Sequence, residues 1–149
     1  MNEIKLSAID NLIKLSLELL NASQGAFLSA DEETKTLKFE VVSLKHGTAE
    51  ALRRISDRLI GNTVAYGVGL TGKAAELRQA QFATRIDNAD MSHVGGDGTP
   101  NAVMAVPVVV ADRLLGVLTA VRFDRELAFS EEDVRRYSMA AKVASGIIE

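Results

Sequence analysis

Gly67-Val68-Gly69-Leu70-Thr71-Gly72-Lys73-Ala74-Ala75 is the stretch whose residue types and spacing come nearest to a known chemistry. Gly67, Gly69 and Gly72 satisfy G-x-G-x-x-G, the spacing that lets a dinucleotide pyrophosphate approach the backbone at a helix start. Gly67 to Lys73 also satisfies all but the last position of the phosphate loop G-x-x-x-x-G-K-[ST]. That last position must offer a hydroxyl to Mg²⁺, and here it is Ala74. Both motifs need a strand before the glycines, whereas Arg54-Ile55-Ser56-Asp57-Arg58-Leu59-Ile60 reads as helix. The stretch is therefore read as a glycine hinge between two helices, with Lys73 a solvated first-turn residue.

Other chemistry-bearing residues lie apart from one another. His93, in the loop Asp87-Asn88-Ala89-Asp90-Met91-Ser92-His93, is either a ligand or haem contact or a solvated loop histidine; no partner at metal-ligand spacing surrounds it. His46 sits in a strand-to-helix connection and reads as solvated. Asp87, Asn88, Asp90 and Asp97 do not follow the calcium-loop spacing, and Asx residues among glycines serve turns. Phe39, Val41, Leu70, Phe82 and Met91 would line a mostly apolar pocket, with Thr84 or Asn101 as polar guides, or would simply be core. With Asp87 and His93 they form the candidate ligand-binding set. No Ser-His-Asp triad or catalytic carboxylate pair stands at a recognisable spacing, so no enzyme activity is expected.

Composition narrows the class. A chain of 149 residues, 47% hydrophobic and 25% charged, has the makeup of one globular domain. A net charge of −3 with interspersed signs offers no basic face for nucleic acid. No apolar run approaches the roughly 20 residues of a membrane span, and the N-terminus lacks a signal-peptide pattern. The chain has no cysteine, which removes disulfides, thiolate metal sites, cysteine nucleophiles and thioether-linked cofactors together. With no leader pattern, this points to the cytoplasm.

The elements that must position these residues follow from periodicity. Asn2 to Leu20 reads as an amphipathic helix with Ile4, Ile9, Leu12, Ile13, Leu17 and Leu20 on its apolar stripe. Gly25–Ala30 and Leu37–Leu44 read as a hairpin, the second strand alternating Leu37, Phe39, Val41 and Ser43 against Lys38, Glu40, Val42 and Leu44. A second helix is capped by Thr48 and stopped near Gly61, with Leu52, Ile55 and Leu59 inward. A short helix spans about Lys73 to Arg78, and a strand follows from Gln81 to Ile86. After a polar loop from Asp87 to Pro100, Asn101–Val110 and Leu114–Phe123 form a second hairpin, apolar on both parities and so covered on both faces. Pro107 needs an edge-facing nitrogen or a bulge. Ser130 caps the last helix, Glu131, Glu132 and Asp133 meet its positive end, and Phe129 staples onto Val134. In it Val134, Tyr137, Ala141, Ala144 and Ile148 form a seam. The order predicts an α+β fold: a central, mainly antiparallel sheet of five to six strands with helices on both faces.

The chain at this point resembles a GAF domain, the small-molecule sensory module of the PAS-like superfamily, across residues 1–149. Four pieces in order carry the resemblance: Ala26-Phe27-Leu28 with Asp31-Glu32-Glu33-Thr34 and Leu37; Gly67 to Ala75; Val106-Pro107-Val108 with Leu115-Gly116-Val117-Leu118; and Phe129-Ser130-Glu131-Glu132-Asp133. The resemblance implies a ligand pocket between the sheet and the segments from Leu59 through Pro100. It implies a non-catalytic regulatory domain in signal transduction that binds an unidentified small molecule, homodimerises through its terminal helices (about 2–20 and 130–149) and relays to a downstream output domain. The alternative is a dimerisation module that binds no ligand. No cofactor is identified. Without cysteine, a covalently attached bilin and the methionine-sulfoxide reductase chemistry of some members are excluded. Haem is disfavoured, and so is a cyclic nucleotide, since the N-K-x-F-D-E signature has no counterpart here.

Overall fold

The computed structural model describes residues 1–84, 102–123 and 128–149. In chain order its elements are α1 (Glu3–Leu20), β1 (Gln24–Asp31), β2 (Thr36–Leu44), α2 (Ala49–Leu59), β3 (Thr63–Ala65), α3 (Gly69–Leu77), β4 (Gln81–Thr84), β5 (Ala102–Val110), β6 (Arg113–Arg122) and α4 (Glu131–Ile148). The six strands form one sheet of order β3-β2-β1-β6-β5-β4, antiparallel at every pairing. Its two hairpins, β1–β2 and β5–β6, join at the centre through β1 and β6.

Local chemistry fixes the ends of these elements. The Asn2 side chain accepts from the Lys5 amide at 2.8 Å to start α1, and Asn21 in the left-handed region (φ 50°) stops it. Asp31 accepts from the Glu33 and Thr34 amides and turns β1 into β2. Thr48 caps α2 as expected, through the Ala51 amide. At α4 the Ser130 hydroxyl accepts from the Asp133 amide while the Asp133 carboxylate accepts from the Ser130 amide at 2.8 Å, a reciprocal capping box.

Helices cover both faces, giving two apolar layers. On one face α1 and α4 bury Ile9, Ile13, Leu17, Tyr137, Ala141 and Ala144 against Phe27, Met104, Val106 and Leu118. The seam read along α4 is thus used inside the chain. The Tyr137 hydroxyl, wholly buried, donates to the Thr119 carbonyl at 2.7 Å. On the other face α2 and α3 lie over Leu28, Leu37, Phe39, Val42, Val103, Val117 and Val121. Pairing with β4 ends at Gln81↔Ala105, so Pro107 lies beyond the ladder on that side, and β5 is further irregular between Val108 and Val109. Among the described residues no helix is long and apolar enough to cross a membrane.

Two features depart from the sequence reading. Residues Thr63–Ala65 form a short strand against Thr36–Lys38, where none was expected. In the first hairpin Val41 pairs with Phe27 and Phe39 with Leu28, which leaves Glu40 as an inserted residue. The bulge reverses the side-chain parity of β2. Leu37 and Phe39 face α2 and α3, Val41 faces α1 and α4, and Val42 lies again in the α2/α3 layer.

Candidate functional site

The glycine stretch is a packed corner between β3 and α3, not a hinge between helices. Gly67 (φ 82°) and Gly69 (φ 63°) occupy the left-handed region, where a Cβ is costly. Gly72 is required for space: a Cβ there would collide with the Ala65 carbonyl oxygen and come within 3.1 Å of the Gly67 nitrogen. The corner is closed by Gly67 N–H to the Gly72 carbonyl (2.8 Å), Gly72 N–H to the Val68 carbonyl (3.0 Å) and Tyr66 N–H to the Lys35 carbonyl (2.9 Å). Helix α3 therefore starts at Gly69, earlier than the expected Lys73, and buries Leu70, Thr71, Ala74 and Ala75. Lys73 is exposed, as a solvated residue should be. The strand before the corner is only three residues long, and Ala74 still lacks the hydroxyl a phosphate loop needs.

Of the candidate ligand residues, Phe39 and Leu70 share the α2/α3 layer, 1% and 7% exposed. Val41 is turned to the α1/α4 layer by the bulge. Phe82 pairs with Met104, a residue of the α1/α4 layer, and is 48% exposed, so it does not join Phe39 and Leu70 either. Thr84 closes β4 opposite Ala102. Asp87, Met91, His93 and Asn101 lie outside the described residues. His46 is exposed. No group of three metal-ligating side chains occurs among the described residues.

Sequence reading missed the polar side chains buried in the α2/α3 layer. Gln24 alternates with Ala26 and Leu28, and it stands opposite Val121, which puts it on the α2/α3 face at 2% exposure. Thr119, 1% exposed, lies on the same face between Ala26 and Ala105. Thr71, fully buried, lies one turn before Ala74 and Ala75 on the sheet-facing side of α3. The signal available was residue type: a polar side chain in each of three otherwise apolar stretches.

At the rim, a cluster clamps the C-terminal end of α3 to two hairpin tips. Arg78 pairs with Glu32 at 3.0 Å and donates to the Asp112 carbonyl; Glu32 also accepts from Lys35 (3.3 Å) and Tyr66 (3.4 Å). Burial pushes the Glu32 carboxyl up, but the hydrogen bond and charge of Lys35, the Leu114 amide and Arg78 outweigh it and hold it below the usual range. The Tyr66 hydroxyl is raised to about 12, first by burial and then by the charge of Glu32. Burial raises that of Tyr137 further still. In a spectrophotometric titration Tyr66 is expected to ionise near pH 12 and Tyr137 only on unfolding. Because the raised Tyr66 value favours the folded state below pH 10, its contribution is lost as pH climbs from 10 to about 12. A tyrosine ionising at pH 10 in the folded protein contradicts this packing.

Residues 7–149 match the family model of the GAF domain. No curated protein matches the sequence. Among solved structures, the chain is similar to the GAF domain of an Acinetobacter phosphoenolpyruvate-protein phosphotransferase (14% identity, 99% of this chain and 94% of that one, TM-score 0.67). It is similar to the second GAF domain of DevS from Mycobacterium smegmatis (15% identity, 95% and 91%, TM-score 0.71). It is also similar to a free methionine-R-sulfoxide reductase from Neisseria meningitidis, solved with its substrate (19% identity, 96% and 77%, TM-score 0.72). At these identities the likeness is one of fold.

Proposed function

Since the chain belongs to the GAF domain family, we propose that it is a non-catalytic regulatory domain. It binds a small molecule in the α2/α3 layer and relays the event through α1 and α4 to a second copy of itself and to an output partner. The observation that carries the relay is an apolar outer surface on the terminal helices. Leu15 and Leu19 on α1 are 61% and 65% exposed, and Met139 and Val143 on α4 are 61% and 54% exposed. Each pair is one helical turn apart. Lys5 Nζ donates to the Ile148 carbonyl, and Arg122 bridges the Leu20 carbonyl to Asp133, so α1 and α4 run antiparallel with Leu15 level with Met139. Large apolar side chains grouped at that density mark association surfaces.

The presence of a reductase among the similar folds does not move this reading toward catalysis. Reduction of a sulfoxide by protein thiols needs a cysteine nucleophile, and the sequence contains none.

Sedimentation of the purified chain tests the relay surface. A dimer is expected at micromolar concentration, and the pair Leu15→Glu with Met139→Glu should yield a folded monomer, since both sites are exposed and their replacement leaves the core intact. A wild-type monomer, or a dimer unaffected by the pair, would sink the proposal. Native mass spectrometry after exposure to a metabolite panel tests ligand binding. Persistent absence of added mass would favour the second reading, a dimerisation module whose α2/α3 layer is simply filled.

A further inference from the structure

Strand β5 runs on past its outer neighbour. β4 pairs with Ala102 to Ala105 only, and beyond that point β5 borders a groove of about 290 Å³. One wall is the α4 flank of Ser138, Ala141 and Lys142, spaced i, i+3, i+4. The other walls are Pro107 and Val109 of β5 and the link from α3 into β4, through Arg78 and Ala80. Small side chains at 80, 138 and 141 keep the groove open, and Pro107 presents a ring where another residue would present an N–H. Its interior is therefore mainly apolar. Arg78 and Lys142 stand exposed at the rim, and no carboxylate is among the described residues that line it.

The two cations are not equally engaged. Glu32 meets Arg78 at 3.0 Å from a neighbouring cleft that it shares with Lys35 and Tyr66. Arg78 also donates to the Asp112 carbonyl, and its guanidinium carries further N–H donors. The Lys142 Nζ has no ion pair or hydrogen bond among the described residues. Two positive charges against the one carboxylate of Glu32 leave the rim with an excess of one. From this groove and its charge we infer a binding site for a small organic monoanion, a carboxylate carried on a compact apolar body. The inference goes beyond the regulatory reading above, because the site lies outside the α2/α3 layer and stands whether or not that layer binds anything.

Each wall answers one part of such a ligand. The planar fork of Arg78 matches the two oxygens of a carboxylate, and Lys142 adds a point charge from the opposite rim. The Ser138 hydroxyl supplies a neutral donor. Pro107, Val109 and Ala141 receive the apolar body. A groove near the lower bound of ligand sites, roughly 300 Å³, suits one ring or a short branched chain. A cation meets like charge at the rim, and a dianion exceeds the positive excess. Because Arg78 closes α3 and also holds Glu32, a bound carboxylate competes with Glu32 for one guanidinium. The site thereby touches both the end of α3 and the flank of α4.

Benzoate, benzamide and benzylamine share one ring and differ in charge, so they are the probes. In an amide-detected NMR titration of the full chain at low salt, benzoate should shift Arg78, Ala80, Ser138, Ala141 and Lys142. A Kd on the order of 1 mM is expected for so small a molecule. Benzamide and benzylamine should bind at least about threefold more weakly, the scale of an exposed charge pair. Lys142→Met should weaken benzoate by about threefold, and Lys142→Arg should restore it. Glu32→Gln should tighten it by a similar factor of about three, since it removes the competitor for Arg78. Ser138→Leu, which fills the groove, should abolish it. Equal binding of the three probes, no shift at these five residues, or affinities unmoved in Lys142→Met and Glu32→Gln would each overturn the inference. Shifts confined to Phe39 and Leu70 would also overturn it, by placing the anion in the α2/α3 layer, where the regulatory reading puts its ligand.

Discussion

Gly72→Ala is expected to destabilise the domain by about 3 kcal/mol, the upper end of what overpacking costs in a well-packed interior. The sign is not obvious from the helix alone. Gly72 lies in the first turn of α3, and replacing a helical glycine by alanine gains roughly 0.5–1 kcal/mol of backbone entropy. That gain is smaller than the steric loss, because the added Cβ would meet backbone, the Ala65 carbonyl oxygen and the Gly67 nitrogen at 3.1 Å, and backbone cannot rotate away as a side-chain tip can. The corner would have to open, breaking the Gly67-to-Gly72 and Gly72-to-Val68 hydrogen bonds that close it. At roughly 3 °C per kcal/mol for a domain of this size, the melting temperature should fall by about 10 °C. A variant that melts within about 2 °C of the wild type would show that the corner is compliant after all.

Arg122→Met should be the costlier change, about 3–5 kcal/mol, because it strips one partner from a buried pair. Arg122 is 7% exposed at the end of β6. It donates to the Leu20 and Ala128 carbonyls, pairs with Asp133 at 3.4 Å and stacks on the Phe129 ring at 4.3 Å. One guanidinium thus ties the last turn of α1, the approach to α4 and its capping box. Methionine keeps the stem's contacts with Phe129 but leaves the buried Asp133 carboxylate only the exposed Arg136 guanidinium, 3.8 Å away. Adding Asp133→Asn should then recover part of the loss, since the buried charge left with only its distant Arg136 partner disappears while a capping oxygen remains. Urea unfolding of the two single variants and the double variant gives the coupling directly. Strict additivity would sink the pairing account, leaving lost packing as the whole effect.

Much of the fold was legible because local chemistry and global pattern agreed. Thr48 and Ser130 behave as caps, the polar run after Asp31 turns β1 into β2, and the two-parity apolar runs at 102–110 and 113–122 are interior strands with helices on either side. Three things were hidden. A three-residue strand at Thr63–Ala65 carries too little pattern to stand out, and it exists because β2 offers an edge to pair with. The bulge at Glu40 cannot be read from alternation, since an inserted residue is defined by its partner strand; it moved Val41 away from Phe39. Phe82 looked like a pocket residue by hydrophobicity, but its face is set by register with Met104. The same limit applies to Gln24 and Thr71. Their residue type is visible in the sequence, while the absence of a partner is a property of the assembled layers.

The pairing of β1 with β6 has a temporal consequence. These are the two central strands of the sheet, yet Gln24 meets Val121 and Ser29 meets Gly116 across most of the chain's length. Each hairpin can zip locally, but neither the Phe27–Leu118 nor the Leu28–Val117 contact exists until both halves are present together. Closing that long loop must be paid in entropy before any reward arrives, which slows folding relative to helical domains of equal size. A nascent chain released as far as β4 would display the β1 edge, with its unpaired amides and carbonyls, to whatever strand comes first. The domain completes its sheet as its last strand arrives, so the rate at which β5 and β6 follow β4 off the ribosome sets how long that edge stands open.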